Sequence, residues 1–269
     1  MDIASVGGIL LAIIGILGGL MIEGGSIAQV TQPTAMMIVL GGTMGAVMLQ
    51  FPLNIFVAAL KQFMRVFLSS GRNNEDIVTQ LVSFAVKARK SGIVSLDADL
   101  HMVEDPFLKQ ALMLAIDGTE PSAVRQIMRL ELENKAEGEE RIPQVFESAG
   151  GFAPTVGIIG AVIGLIQVMQ RLDNINEVGR GIAIAFVATI YGVGLANLVF
   201  LPAAGKLRIR QQEEQMVKEM MLEGVISIQE GMNPRMIEIK LRTFLFESKG
   251  RTRSREVDDA KEEARTREP

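Results

Sequence analysis

Four stretches of this chain carry no charge and are long enough to cross a lipid bilayer, which restricts the possible folds more than any other feature. They are residues 3–22, 24–60, 148–170 and 181–205, and within the second, Thr34–Phe51 is the most apolar window. An uncharged apolar run of about 18 residues or more spans a hydrocarbon core about 30 Å thick. The runs therefore predict four membrane helices rather than four buried helices of a large soluble bundle. The first is preceded by "MD", acidic where a signal peptide needs positive charge, so it reads as a span that is kept.

Charge then sets the topology. All but two of the 27 Lys and Arg residues, Arg171 and Arg180, fall in 61–141 and 206–267. The connection between the first two spans, "EGGSIAQVTQP", has no basic residue. Basic loops stay on the cytoplasmic side, so the long central segment, the C-terminal region and both termini are predicted to be cytoplasmic, with two short connections outside. The net charge of −4 gives no sign of nucleic-acid binding, and with no Cys there is neither a disulfide framework nor a thiolate metal site.

The predicted organisation is an all-α integral membrane protein with a helical cytoplasmic domain inserted between the second and third spans. A transmembrane hairpin covers 1–60, with Pro33 at the start of its second span and a break at Pro52. The helical cytoplasmic domain covers 61–147. Across the boundary, 53–70 shows an apolar stripe at helical spacing; then come a turn at 71–74 and Glu75–Arg89, an amphipathic helix with acid at its start and base at its end. A turn with a short irregular or helical piece follows over 91–105, then helices at about 106–117 and about 121–147, with Gly138 a candidate interruption. Spans three and four occupy 148–205. Residues 206–247 read as an amphipathic cytoplasmic helix with a possible break at "GMNP" (231–234), and 248–269 as a charged tail whose composition predicts disorder.

The third span, within "GGFAPTVGIIGAVIGLIQVMQ" (150–170), contains one proline and several glycines that would weaken a soluble helix. Small residues let helix backbones approach closely in lipid. GxxxG pairs occur at Gly15/Gly19, Gly41/Gly45 and Gly160/Gly164. Gly157, Gly160 and Gly164 are expected to permit tight packing around a central partner helix, and Pro154 to form a hinge at the inner mouth. Thr155, Gln167, Thr189, Tyr191 and Asn197 add hydrogen-bonding groups to otherwise apolar helices. A Thr in a span is commonly satisfied by its own helix. A Thr and a terminal proline on each of two helices, with Pro154 starting one and Pro202 ending the other, instead suggest a partly wet lining.

None of the four runs contains Asp, Glu, Lys, Arg or His. Proton relays need an ionisable group inside the membrane. If the chain serves an ion-conducting assembly, another polypeptide must supply the carboxylate.

A four-span chain with its soluble unit between spans two and three, "APTVGIIGAVIGLI" (153–166) and "FVATIYGVGLANLVFLPAAGKL" (186–207) resembles the flagellar motor stator subunit family MotA/PomA. The resemblance covers all but about the last twenty residues. It implies a ring of five copies around a MotB-like membrane subunit that supplies the intramembrane aspartate, in the bacterial inner membrane. It implies that Pro154 and Pro202 couple ion passage to movement of the cytoplasmic unit. It also implies that an arginine and an acidic residue eight positions later engage the rotor protein FliG; in "RKSGIVSLD" these are Arg89 and Asp97, with Asp in place of the family's Glu. On the residues alone, the two read as a solvated surface pair worth under ~1 kcal/mol.

Sodium-driven members present a Thr seven residues after the first proline and another in the fourth span. Here those positions are Ala161 and Thr189. Losing one oxygen per subunit implies protons, while Thr155 keeps sodium as the alternative. ExbB/TolQ-type energisers share the last two spans but have a single span before the soluble region, so the N-terminal hairpin favours the motor family. Neither an enzyme nor a cofactor is expected. His101 is the only histidine, and no phosphate-binding loop or metal-ligand spacing is present.

Overall fold

A computed structural model describes residues 2–67, 74–170 and 175–244. Every regular element among them is helical: α1 (Ile3–Ile22), α2 (Ile27–Val30), α3 (Pro33–Gln50), α4 (Leu53–Phe63), α5 (Asn74–Ser91), α6 (Pro106–Ile116), α7 (Pro121–Gln170), α8 (Ile175–Leu195), α9 (Leu201–Gln229) and α10 (234–244). Short 3-10 helices occupy Met64–Phe67 and Ile93–Met102, and a π-helical turn Ala196–Phe200 joins α8 to α9. Four helices are long and apolar enough to cross a membrane, lying within Ala4–Ile22, Ile27–Gln50, Pro121–Gln170 and Val178–Gln229. The chain is an all-α membrane protein.

The predicted starts and stops hold where local chemistry dictates them. Pro33 opens α3, where its missing N–H costs nothing, and the chain breaks at Phe51–Pro52 before α4. Asp105 caps α6 by accepting from the Phe107 and Leu108 N–H groups, with Pro106 as the first helical residue. The break at 231–234 is present, with Gly231 at φ +69° between α9 and α10. Of the turn expected at 71–74, residues 71–73 lie outside the described residues, as does the charged tail, and Asn74 already begins α5.

One expectation is corrected. Residues 121–170 form a single helix that runs through Gly138, Pro143 and Pro154, so no helix ends near 147 and none begins at Pro154. An interior proline deletes one backbone bond, but here buried Ala149 and Ala153 before Pro154 and the close approach of Gly157 to α8 after it pack the helix into its surroundings. Tertiary packing outweighs the local penalty. Pro202 likewise does not end a helix. It is the second residue of α9, directly after the π-helical turn.

The described residues divide into two units, one within 1–70 and 138–209 and the other within 71–137 and 210–269. In the first, α3 buries Ala35, Val39, Thr43 and Val47, an i, i+4 stripe, in a core shared with α8 and the π-helical turn. Phe63 stacks on Phe146 with ring centroids 5.7 Å apart. Within the chain, the apolar window of α1 has no buried residue. In the second unit, amphipathic helices enclose a core that includes Leu81, Leu96, Leu112, Met128, Met220 and Leu241. The methionines there fill space between helices, as flexible thioether side chains do.

Candidate functional site

The third and fourth spans meet along a seam of small residues. A β-carbon on Gly192 of α8 would lie 2.5 Å from the Ala153 carbonyl oxygen and 3.0 Å from the Gly157 Cα. One on Gly157 would lie 2.9 Å from the Ala188 carbonyl oxygen. Further out, Gly160 lies against the Ala188 side chain and Ile38, and Gly164 against Ala185 and Gly181. This corrects a second expectation. The three glycines of the third span do not face a partner helix; α8 of the same chain occupies that side, with Ile38 of α3 at Gly160. The Gly15/Gly19 and Gly41/Gly45 pairs have open space at their Cα positions. On α3 it is Gly42 that makes a close approach, to Val156.

The polar groups of these spans are satisfied locally. Thr155, exposed, donates to the Phe152 carbonyl at 2.8 Å. Thr189, half-buried, donates to the Ala185 carbonyl at 3.4 Å, and its Cα borders Gly157. Ala161 stands one helical turn past Gly157 and is half-buried. Asn197 donates to Val193 at 2.9 Å. Tyr191 reaches across to the connection between α2 and α3, where its hydroxyl donates to the Val30 carbonyl at 2.6 Å and accepts from the Gln32 N–H at 3.1 Å. Those two backbone groups sit where α2 gives way to α3 and lack helical partners, so the tyrosine completes the connection.

The two prolines act on neighbouring turns. Pro154 has no N–H for the carbonyl of Gly150, four residues back. A β-carbon on Gly150 would lie 2.6 Å from the Leu201 side chain, and Leu201 precedes Pro202. On the other strand of this contact, Leu201 N–H donates to the Ala196 carbonyl, an i to i−5 bond. The widened turn relieves the clash a proline ring makes with the carbonyl four residues before it. Pro202 is exposed and lines a cavity of about 390 Å³ together with Ala4, Ser5, Gly8, Asn197 and Lys206. At its rim Lys206 Nζ pairs with Asp2 Oδ2 at 2.6 Å, so residues 2 and 206 lie at one end of the bundle.

In the second unit, Arg89 lies in the last turn of α5 and Asp97 sits on the 3-10 helix Ile93–Met102. Both are exposed, and neither has an ion-pair or hydrogen-bond partner among the described residues. Lys87 Nζ instead pairs with Asp99 Oδ2 at 2.7 Å. Elsewhere Glu223 of α9 accepts from Arg125 of α7 and, at 3.0 Å, from Lys240 of α10, while Lys240 also donates to buried Ser227 at 3.1 Å. Burial alone would raise the Glu223 carboxyl. The hydrogen bonds from Arg125 and Lys240 outweigh it and hold the group below the ordinary glutamate range.

Sequence reasoning did not find the Lys87–Asp99 pair, the Glu223 network or the π-helical turn. The first two join residues whose charges look like ordinary solvated ones. The third had a signal, Pro202 inside an otherwise helical pattern.

The chain resembles known proteins over most of its length. The family profile described as "MotA/TolQ/ExbB proton channel family" matches residues 99–220, and "Motility protein A N-terminal" matches residues 6–92. Motility protein A of Bacillus subtilis (strain 168) is 35% identical over 246 residues, covering 91% of each chain. A solved structure of C. jejuni MotAB superposes with a TM-score of 0.86 at 32% identity, covering 91% of this chain and 96% of the other. That of the flagellar MotAB stator complex from Bacillus subtilis gives 0.82 at 34% identity, covering 89% and 95%.

Proposed function

The chain belongs to the MotA/TolQ/ExbB proton channel family, in its motility protein A branch, and from that premise we propose that it is a stator subunit of the bacterial flagellar motor. With a MotB-like membrane subunit it forms an ion channel and converts ion flow into torque on the rotor. The match of residues 6–92 to the motility protein A N-terminal profile favours this reading over an ExbB/TolQ-like energiser. The observation that carries the channel reading is the absence of Asp, Glu, Lys, Arg and His from residues 3–22, 24–60, 148–170 and 181–205. A cation crossing hydrocarbon needs a charged or strongly polar relay, and here the partner's aspartate supplies it.

The reading assigns the finer roles as follows. The chain sits in the inner membrane with both ends cytoplasmic, five copies surround the partner, and Arg89 and Asp97 contact FliG. The seam of α7 and α8, with Thr155 and Thr189, borders the ion path. Ala161 in place of a hydroxyl residue leaves fewer oxygens for a dehydrated sodium ion, so the coupling ion is the proton. Protonation of the partner's carboxylate removes a charge next to the seam, and the turns around Pro154 and Pro202 pass the resulting shift to the cytoplasmic helices.

The test is swimming in cells that depend on this chain and a MotB-like partner. Speed should not change when sodium is replaced by potassium, and should collapse with a protonophore. Sodium-dependent speed would overturn the ion assignment. No restoration of motility with any MotB-like partner would overturn the stator assignment.

A further inference from the structure

We propose that Lys87 and Asp99 are positioning residues for the rotor contact: by pairing with each other they keep Arg89 and Asp97 unpaired and available. The inference rests on the reading of Arg89 and Asp97 given above. The segment "KARKSGIVSLDAD" (87–99) places three cations, Lys87, Arg89 and Lys90, before a turn and two acids, Asp97 and Asp99, after it. The turn is made at Gly92, whose φ of +81° an L side chain rarely adopts. It folds the end of α5 back towards the 3-10 helix, which brings Lys87 against Asp99.

By sequence alone, any cation could take either acid. The structure joins one pair, Lys87 Nζ to Asp99 Oδ2 at 2.7 Å, with side chains 38% and 23% exposed. Arg89 and Asp97, both exposed, are left without partners among the described residues. Removing Lys87 would leave Asp99 free to draw in Arg89, and removing Asp99 would leave Lys87 free to draw in Asp97. Either capture would neutralise half of the rotor contact. The 3-10 helix has other anchors besides the pair: Leu96 is buried in the core and Ser95 Oγ donates to the Gly92 carbonyl at 2.6 Å. Its effect is therefore on which charges remain free.

A scaffold role and a charge-sorting role give different results in one set of variants. Swimming speed is measured at matched membrane amounts, quantified by immunoblot, for Lys87→Met, Asp99→Asn, the double variant, Lys87→Arg, and Arg89→Glu as the reference for the contact itself. Charge sorting predicts at least a twofold loss of speed in each neutral single variant. It predicts recovery towards the parent in the double variant, where no surplus charge is left to capture Arg89 or Asp97, and parental speed in Lys87→Arg. Normal speed in both single variants, or a double variant as slow as the worse single, would overturn it. Failure of a neutral variant to accumulate would mark the pair as a folding element and would overturn it as well. Should Arg89→Glu itself swim normally, the rotor-contact reading fails, a result distinct from failure of the pair alone.

Discussion

Gly157 of α7 and Gly192 of α8 lie back to back, with no room for a β-carbon on either: one on Gly192 would come within 3.0 Å of the Gly157 Cα. Gly192→Ala and Gly157→Ala are therefore expected to push the two spans apart, at about 1–3 kcal/mol for overpacking a close contact. Thermal unfolding in detergent should show a lowered midpoint for both. Gly194→Ala, on the same helix with nothing within 4 Å, should unfold like the parent. Equal midpoints for all three would remove the seam from the account.

Pro202 adjoins the π-helical turn, and restoring its N–H should let residues 196–200 return to ordinary helical bonding. Pro202→Ala is predicted to reach the membrane in normal amount and to lose most of its torque. Pro154→Ala, which gives the Gly150 carbonyl back its donor, should behave the same way. Normal rotation speed of tethered cells in either variant would show that the irregular backbone at that position is not used in coupling.

Tyr191 is the only tyrosine in the chain and serves two backbone groups at once. Tyr191→Phe keeps the ring and removes the hydroxyl. Leaving the Val30 carbonyl and Gln32 N–H unserved costs about 1–3 kcal/mol. The thermal midpoint should drop, and proteolysis of the connection at residues 23–32 should speed up. Unchanged proteolysis would mean that the connection is held by other contacts.

Glu223 gives a pH-dependent prediction. Its carboxyl is held below the ordinary range in the folded chain, so its ionised form adds stability above the unfolded value, and that contribution is lost as pH falls through the folded value. Glu223→Gln should be less stable than the parent at pH 7, by about 1–3 kcal/mol, because Arg125 and Lys240 lose their charged acceptor. As pH falls through the folded value, below the ordinary glutamate range, the two proteins should converge. A gap that is the same at both ends of the range would show that packing, rather than charge, makes the difference.

The membrane helices were legible because their signal is one of composition: absence of charge over a sufficient length needs no knowledge of neighbours. Helix ends set by local chemistry, such as Pro33, Pro52 and Asp105, were legible for the same reason. The continuity of α7 through Pro143 and Pro154 was not, since the sequence reports the local cost of a proline but not the buried contacts of Ala149 and Ala153 that offset it. The glycines of the third span were rightly read as close-packing residues, but not which helix they meet. That depends on α8 filling the space, a tertiary fact. Arg89 and Asp97 were reached through family resemblance; no property of the two residues alone separates them from other surface charges.

The most direct measurement of the central claim is proton uptake by vesicles holding this chain, with and without a MotB-like partner. The account predicts that the chain alone conducts no better than empty vesicles, that the mixed assembly acidifies the lumen, and that replacing the partner's intramembrane aspartate by asparagine abolishes the difference. Equal acidification by the chain alone would contradict it.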